Sequence, residues 1–172
     1  MKKICIIALM IGLSFSLFAC GKYDCTITLP SDKWTVKALP NPQFLKEFEV
    51  KELKKAQSKE QVAIGLMAEH FTPLIETDER IVKDLKDSLV KEPLYKSAVF
   101  NDKGEKELGG NKWRVIEVKT SIQKLELYQD FFLSKKGNKV FALLFTAVNK
   151  ANYDTYKGDF LKVVETAKFI KK

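Results

Sequence analysis

The sequence predicts an α+β domain in which an antiparallel β-sheet is flanked by helices, an α/β/α sandwich. Three observations carry this expectation. The strand-like segments are joined largely by hairpin turns, which favours antiparallel neighbours. Two of them, residues 61–71 and 139–148, are apolar on both alternating faces, as strands covered on both sides are. Two further segments repeat apolar residues about every fourth position, as helices packed on a sheet do.

The elements follow in order. Thr26 to Leu29 reads as a short strand stopped by Pro30. After the Pro30-Ser31-Asp32 turn, Trp34 to Val36 is extended again. Leu39-Pro40-Asn41-Pro42 is a loop, because the residue before each proline is pushed out of helical geometry. Phe44 to Leu53 alternates Phe48 and Val50 with Glu and Lys and reads as a strand. In Gln61 to Phe71, Val62, Ile64 and Leu66 share one face and Ala63, Gly65 and Met67 the other. Thr77 to Glu92 is a helix: Thr77 caps, Asp78 and Glu79 suit the positive first turn, and Ile81, Leu85 and Leu89 line one face. Pro93 ends it.

Tyr95 to Phe100 and Lys112 to Ile122 read as strands flanking a polar segment with Gly104, Gly109 and Gly110. Leu125 to Leu133 and Lys139 to Val148 flank the turn Ser134-Lys135-Lys136-Gly137-Asn138. Asn152 to about Phe169 is the last helix, with Tyr153, Tyr156, Phe160, Val163, Val164 and Ala167 on one side. The order is β-β-β-α-β-β-β-β-α. No linker or repeat divides the chain, so residues 24–172 form one domain.

Composition agrees. The 172 residues are 45% hydrophobic and 30% charged, which excludes collagenous, mucin-like and disordered classes. Three cysteines are too few for a disulfide scaffold. The formal charge is +8, but only Arg80 and Arg114 are arginines, the residue favoured for phosphate and base contacts. Lys alternates with Glu through residues 46–60, which reads as a solvated face rather than a nucleic-acid surface.

The first nineteen residues read as an export signal. Lys2 and Lys3 precede an apolar run from Ile4 to Phe18, about 15 residues against the ~20 that span a bilayer as a helix. Leu17-Phe18-Ala19-Cys20 resembles a bacterial lipobox. The resemblance implies cleavage before Cys20, lipid on its thiol and a short tether at residues 20–23. A thiolate is the nucleophile such lipid transfer needs. Gly21 stands where an Asp would hold an enteric lipoprotein at the inner membrane, so the outer membrane is favoured. Lysines near such an anchor suit anionic headgroups. Cys25 is left to pair with another chain or to stay a free thiol, with a small half-buried apolar residue at a strand start as the plainer role.

Motifs of catalysis are sparse. His70, the single histidine, has no nucleophile-elbow pattern around it. One histidine and one available cysteine do not make a structural zinc site. Asn101-Asp102-Lys103-Gly104 puts Lys where a calcium loop needs oxygen, and reads as a turn. No glycine run continues into Gly-Lys-Ser/Thr, so no P-loop is present. The expectation is a protein without enzymatic activity, metal or cofactor. Trp34, Trp113 and Tyr128 are the candidate ligand-binding residues, with core packing as the plainer role of such rings.

Leu29-Pro30 followed by Trp34, and the ending Phe141 to Val148 with Thr146-Ala147, Tyr153 and Phe160, resemble PsbP-like domains, a group that includes bacterial DcrB-like lipoproteins. The resemblance spans nearly all of the chain after the signal. It implies an antiparallel sheet between helices and a largely non-enzymatic role in binding or assembly. The expected function is a lipid-anchored cell-envelope protein that binds an envelope protein partner as an assembly or maintenance factor. The alternative is a carrier of a small apolar ligand or lipid.

Overall fold

The computed structural model describes residues 23–38, 44–51, 62–70, 78–122, 125–137 and 139–171, excepting the side chains of residues 69, 70 and 122. The signal, Cys20, the 39–42 loop and the Thr77 cap lie outside them.

Seven antiparallel strands form the main sheet. In chain order they are β2 (Trp34–Val36), β3 (Lys46–Val50), β4 (Val62–His70), β5 (Val99–Leu108), β6 (Asn111–Ile122), β7 (Leu125–Lys136) and β8 (Lys139–Val148). Their spatial order is β2-β3-β4-β8-β7-β6-β5. A separate two-stranded ribbon joins β1 (Tyr23–Thr26) to β9 (Lys168–Lys171). Helix α1 (Asp78–Leu89) covers one face and α2 (Lys150–Thr166) the other. The α+β sandwich is therefore present.

Two core layers follow from strand alternation. Val62, Ile64 and Leu66 of β4 with Phe141, Leu143 and Phe145 of β8 meet Phe160, Val163 and Val164 of α2. Met67, Ile116, Val118, Phe131 and Leu144 meet Ile81, Val82 and Leu89 of α1. Central β4 and β8 bury both faces, as their unbroken apolar character requires.

Several elements differ from the expectation. Tyr95 lies in a 3-10 turn, Pro93–Tyr95, not in a strand, because its ring is buried and its hydroxyl donates to Gln129 Oε1. The polar stretch after Phe100, including the supposed turn at 101–104, is strand: β5 continues to Leu108 with a bulge between Asp102 and Gly104. It lies at the sheet edge, where charged side chains face water and discourage further pairing. The hairpin to β6 turns on Gly109 and Gly110, with φ of +59° and +70°. Likewise β7 runs on to Lys136, which pairs with Lys139.

The chain ends also differ. Tyr23 belongs to β1 rather than to the tether, and residues 27–29 are not strand. Helix α2 stops at Thr166, where Ala167 is extended and its N–H bonds to the Val164 carbonyl. The last residues then pair with β1, turning Phe169 onto Trp113 and Phe141.

Candidate functional site

The aromatic candidates belong to the α2-side layer. Both indoles are fully buried. Trp34 meets Tyr156 edge-on, and its Nε1 donates to Asp159 Oδ2 at 2.9 Å. Trp113 packs on Phe132 and Phe169, and its Nε1 donates to the Leu108 carbonyl. Tyr128 is half-buried against Tyr153, with Lys119 over its ring. Each of the three thus has its own ring neighbour. Phe132, Phe145, Phe160 and Tyr153 continue the ring-to-ring packing.

A polar cluster penetrates this layer. The Asp130 side chain on β7 is almost wholly buried and accepts from the Tyr153 hydroxyl at 2.8 and 3.0 Å. Lys157, one turn further along α2, bridges Asp130 and Glu117 at 3.2 Å each, and Lys103 adds a second cation to Glu117. Burial pushes the Tyr153 phenol up, and the Asp130 charge adds to that rise. Burial opposes the Lys157 charge, but the Tyr153 hydroxyl and Asp130 carboxylate outweigh it and hold the ammonium protonated. Burial also lifts the Asp130 carboxyl against the pull of Lys157. A phenol and an ammonium that both keep their protons supply neither a base nor a nucleophile at neutral pH. The cluster clamps α2 to the sheet.

The remaining thiol is similarly quiet. Cys25 is buried, and burial together with Asp24 pushes its pKa up to about 12. His70 ends β4 opposite Lys139, and its side chain lies outside the described residues.

An open cleft of about 310 Å³ lies where the β5–β6 hairpin, the end of β7 and the start of α1 meet. Its basic residues are Lys112, Arg114, Lys135 and Lys136, and its acidic ones Asp78 and Glu105. Asp102 fixes the guanidinium: Arg114 Nη2 donates to Asp102 Oδ2 at 2.7 Å, while Asp102 Oδ1 accepts from the Gly104 N–H. This pairing holds the Asp102 carboxyl below its ordinary range. The buried Arg114 Nε has no acceptor among the described residues.

The sequence reading missed Asp130, Lys157, Arg114 and Asp102 as partners. A signal existed for two of them. Asp130 shares a face with Phe132 and Tyr128, and Arg114 shares one with Ile116 and Val118, so alternation places both charges on core-facing rows.

Similar solved structures share this fold at low identity. Cyanobacterial PsbP (CyanoP) from Synechocystis aligns at TM-score 0.53 and 11% identity, covering 90% of this chain and 99% of that one. LpqN of Mycobacterium tuberculosis, described as involved in cell envelope biogenesis, aligns at TM-score 0.58 and 13% identity, covering 87% and 84%. PA94 of Pseudomonas aeruginosa, a protein of unknown function, aligns at 0.50 and 12%, covering 77% and 94%. No family model matches the sequence, and no curated protein does. The fold is PsbP-like.

Proposed function

We propose that this PsbP-like chain is a lipid-anchored cell-envelope protein without enzymatic activity, which binds a protein partner near the membrane as an assembly or maintenance factor. The signal and lipobox-like sequence at residues 17–20 support the anchor. The envelope role named for LpqN is consistent with that location. The observation that carries the binding reading is the contrast between core and cleft. Trp34, Phe132, Phe141, Phe145 and Phe160 are packed ring to ring in the interior, whereas the open cleft is lined mainly by polar and charged residues, with Trp113 and Leu133 as its apolar members. With Arg114 already paired to Asp102, the lysines of the recess, Lys112, Lys135 and Lys136, suit carboxylates on a protein surface, not an apolar cargo.

A photo-crosslinking residue in place of Glu105, at the cleft wall, tests this in cells. One defined protein adduct is expected, absent when the crosslinker replaces Lys96 instead and lost when Lys112→Glu and Lys135→Glu are added. Adducts that ignore the charge reversal would argue against the cleft as the binding site.

A further inference from the structure

The ribbon of β1 and β9 brings four lysines around the point where the chain enters the domain. Tyr23 pairs with Lys171, and Thr26 with Lys168. The β7–β8 turn packs beside it: Lys139 Nζ donates to the Tyr23 carbonyl at 3.0 Å, and Lys136 lies over the Phe169 ring at 4.7 Å. A Cβ placed on Gly137 would sit 3.3 Å from the Tyr23 ring, so turn and ribbon are in close contact. Ile170, on the same side of β9 as Lys168 and opposite the inward Phe169, is 50% exposed. In sequence, Lys22 and Lys172 add two more positive charges at the ribbon's ends.

Lys136 and Lys139 are held differently from Lys119 and Lys150 at the far end of the sheet. There Lys119 pairs with Glu126 and Lys150 with Asp154. Here Lys139 contacts a carbonyl and Lys136 a ring, neither of which cancels a charge. The acids in this region are Asp24, whose carboxylate accepts from the Cys25 N–H, Glu165 near the end of α2, Glu69, whose backbone pairs with Val140, and Asp78 and Glu105, which line the cleft together with Lys136.

Cys20 lies three residues before Tyr23, a span of at most about 11 Å even when fully extended. If Cys20 carries lipid, this basic end is brought to the headgroup layer. We infer that Lys136, Lys139, Lys168 and Lys171, with the exposed Ile170 beside Lys168, form a docking face for an anionic lipid bilayer, which orients the domain on its anchor. The inference rests on the anchor reading above. Lysines at an anionic surface each add attraction, and an exposed aliphatic side chain among them can enter the interface. With this end down, the cleft opens on the α1 side of the same end, close to the membrane.

Lysine footprinting on the membrane-extracted chain tests the face. The chain is placed in vesicles of phosphatidylcholine, with or without phosphatidylglycerol, and amine labelling is read residue by residue. Lys91 and Lys96, at the opposite end, are internal references. In anionic vesicles labelling of the four lysines is expected to fall several-fold relative to these references. High salt should reverse the protection, because these contacts are screened. Equal labelling in both vesicle types would overturn the inference. Intact mass separates this failure from that of the anchor. A chain without lipid on Cys20 sinks the anchor reading. Mixed with the same anionic vesicles, it still shows selective protection if the face binds lipid, and its uniform labelling overturns the face as well.

Discussion

The Lys157 ammonium lies 3.2 Å from the buried Asp130 carboxylate, a contact that ties the middle of α2 to the β7 strand beneath it. Removing one partner of such a pair leaves a charge uncompensated. Lys157→Met is expected to cost about 2–3 kcal/mol, below the usual loss for a fully enclosed pair because the lysine reaches solvent. Adding Asp130→Asn should recover much of that loss, since the amide oxygen still accepts from Tyr153. Chemical denaturation of both single variants and the double variant checks this. Simple additivity would contradict a charge coupling.

Acid should weaken the fold through Asp102 and Glu117. Arg114 depresses the Asp102 pKa, and Lys103 with Lys157 overcomes burial to depress that of Glu117. Each folded value lies below the unfolded one, so the unfolded state binds more protons between them and stability rises with pH. The contribution is complete above the unfolded carboxylate values, about 4, and is lost as pH falls through the lower folded values. Asp130, raised by burial, contributes with the opposite sign. Melting curves on acidification should show a smaller loss for Asp102→Asn than for the parent. Parallel losses would exclude the Asp102–Arg114 pair as a source.

The two glycines of the β5–β6 turn should respond differently to alanine. A Cβ on Gly109 would collide with the Glu165 carbonyl, in a left-handed conformation as well. At Gly110 the conformation is left-handed, but an added Cβ would meet no atom within 4 Å among the described residues beyond its chain neighbours. Gly110→Ala should cost about 1–2 kcal/mol from conformation alone. Gly109→Ala should cost clearly more, as the turn is forced off the end of α2. Equal denaturation midpoints would contradict the close approach.

Cys25 should resist thiol reagents. Its burial and its pKa of about 12 leave almost no thiolate at mildly alkaline pH. With Cys5 and Cys20 replaced by Ser, a colorimetric thiol assay should show no reaction in the folded protein and rapid reaction after unfolding in denaturant. Fast modification of the native chain would show that the β1–β9 ribbon opens readily.

Legibility in the sequence followed the location of each element. Strands β4 and β8 and helix α1 announce themselves because burial on known faces dictates their apolar pattern. Strand β5 did not, since an edge strand bordered by water carries charges at successive positions and is defined by its pairing with β6. The ribbon was hidden for another reason. Phe169 continues the apolar spacing of α2, and the partner that draws it into a strand lies at the other end of the chain. Of the polar clusters, residue types were visible but pairings were not: nothing local says that Lys157 reaches Asp130, or that Asp102 holds Arg114. The aromatic residues were legible as a set, and the structure seats Trp34 and Trp113 within the core.

The most direct test of the proposed role is native mass spectrometry of the chain extracted from its own membrane in mild detergent. The expected species begins at Cys20, carries the added mass of lipid, and keeps a defined protein companion that Lys112→Glu with Lys135→Glu releases. A chain with unmodified Cys20, or one holding a small apolar molecule at unit stoichiometry in place of a protein, would contradict it.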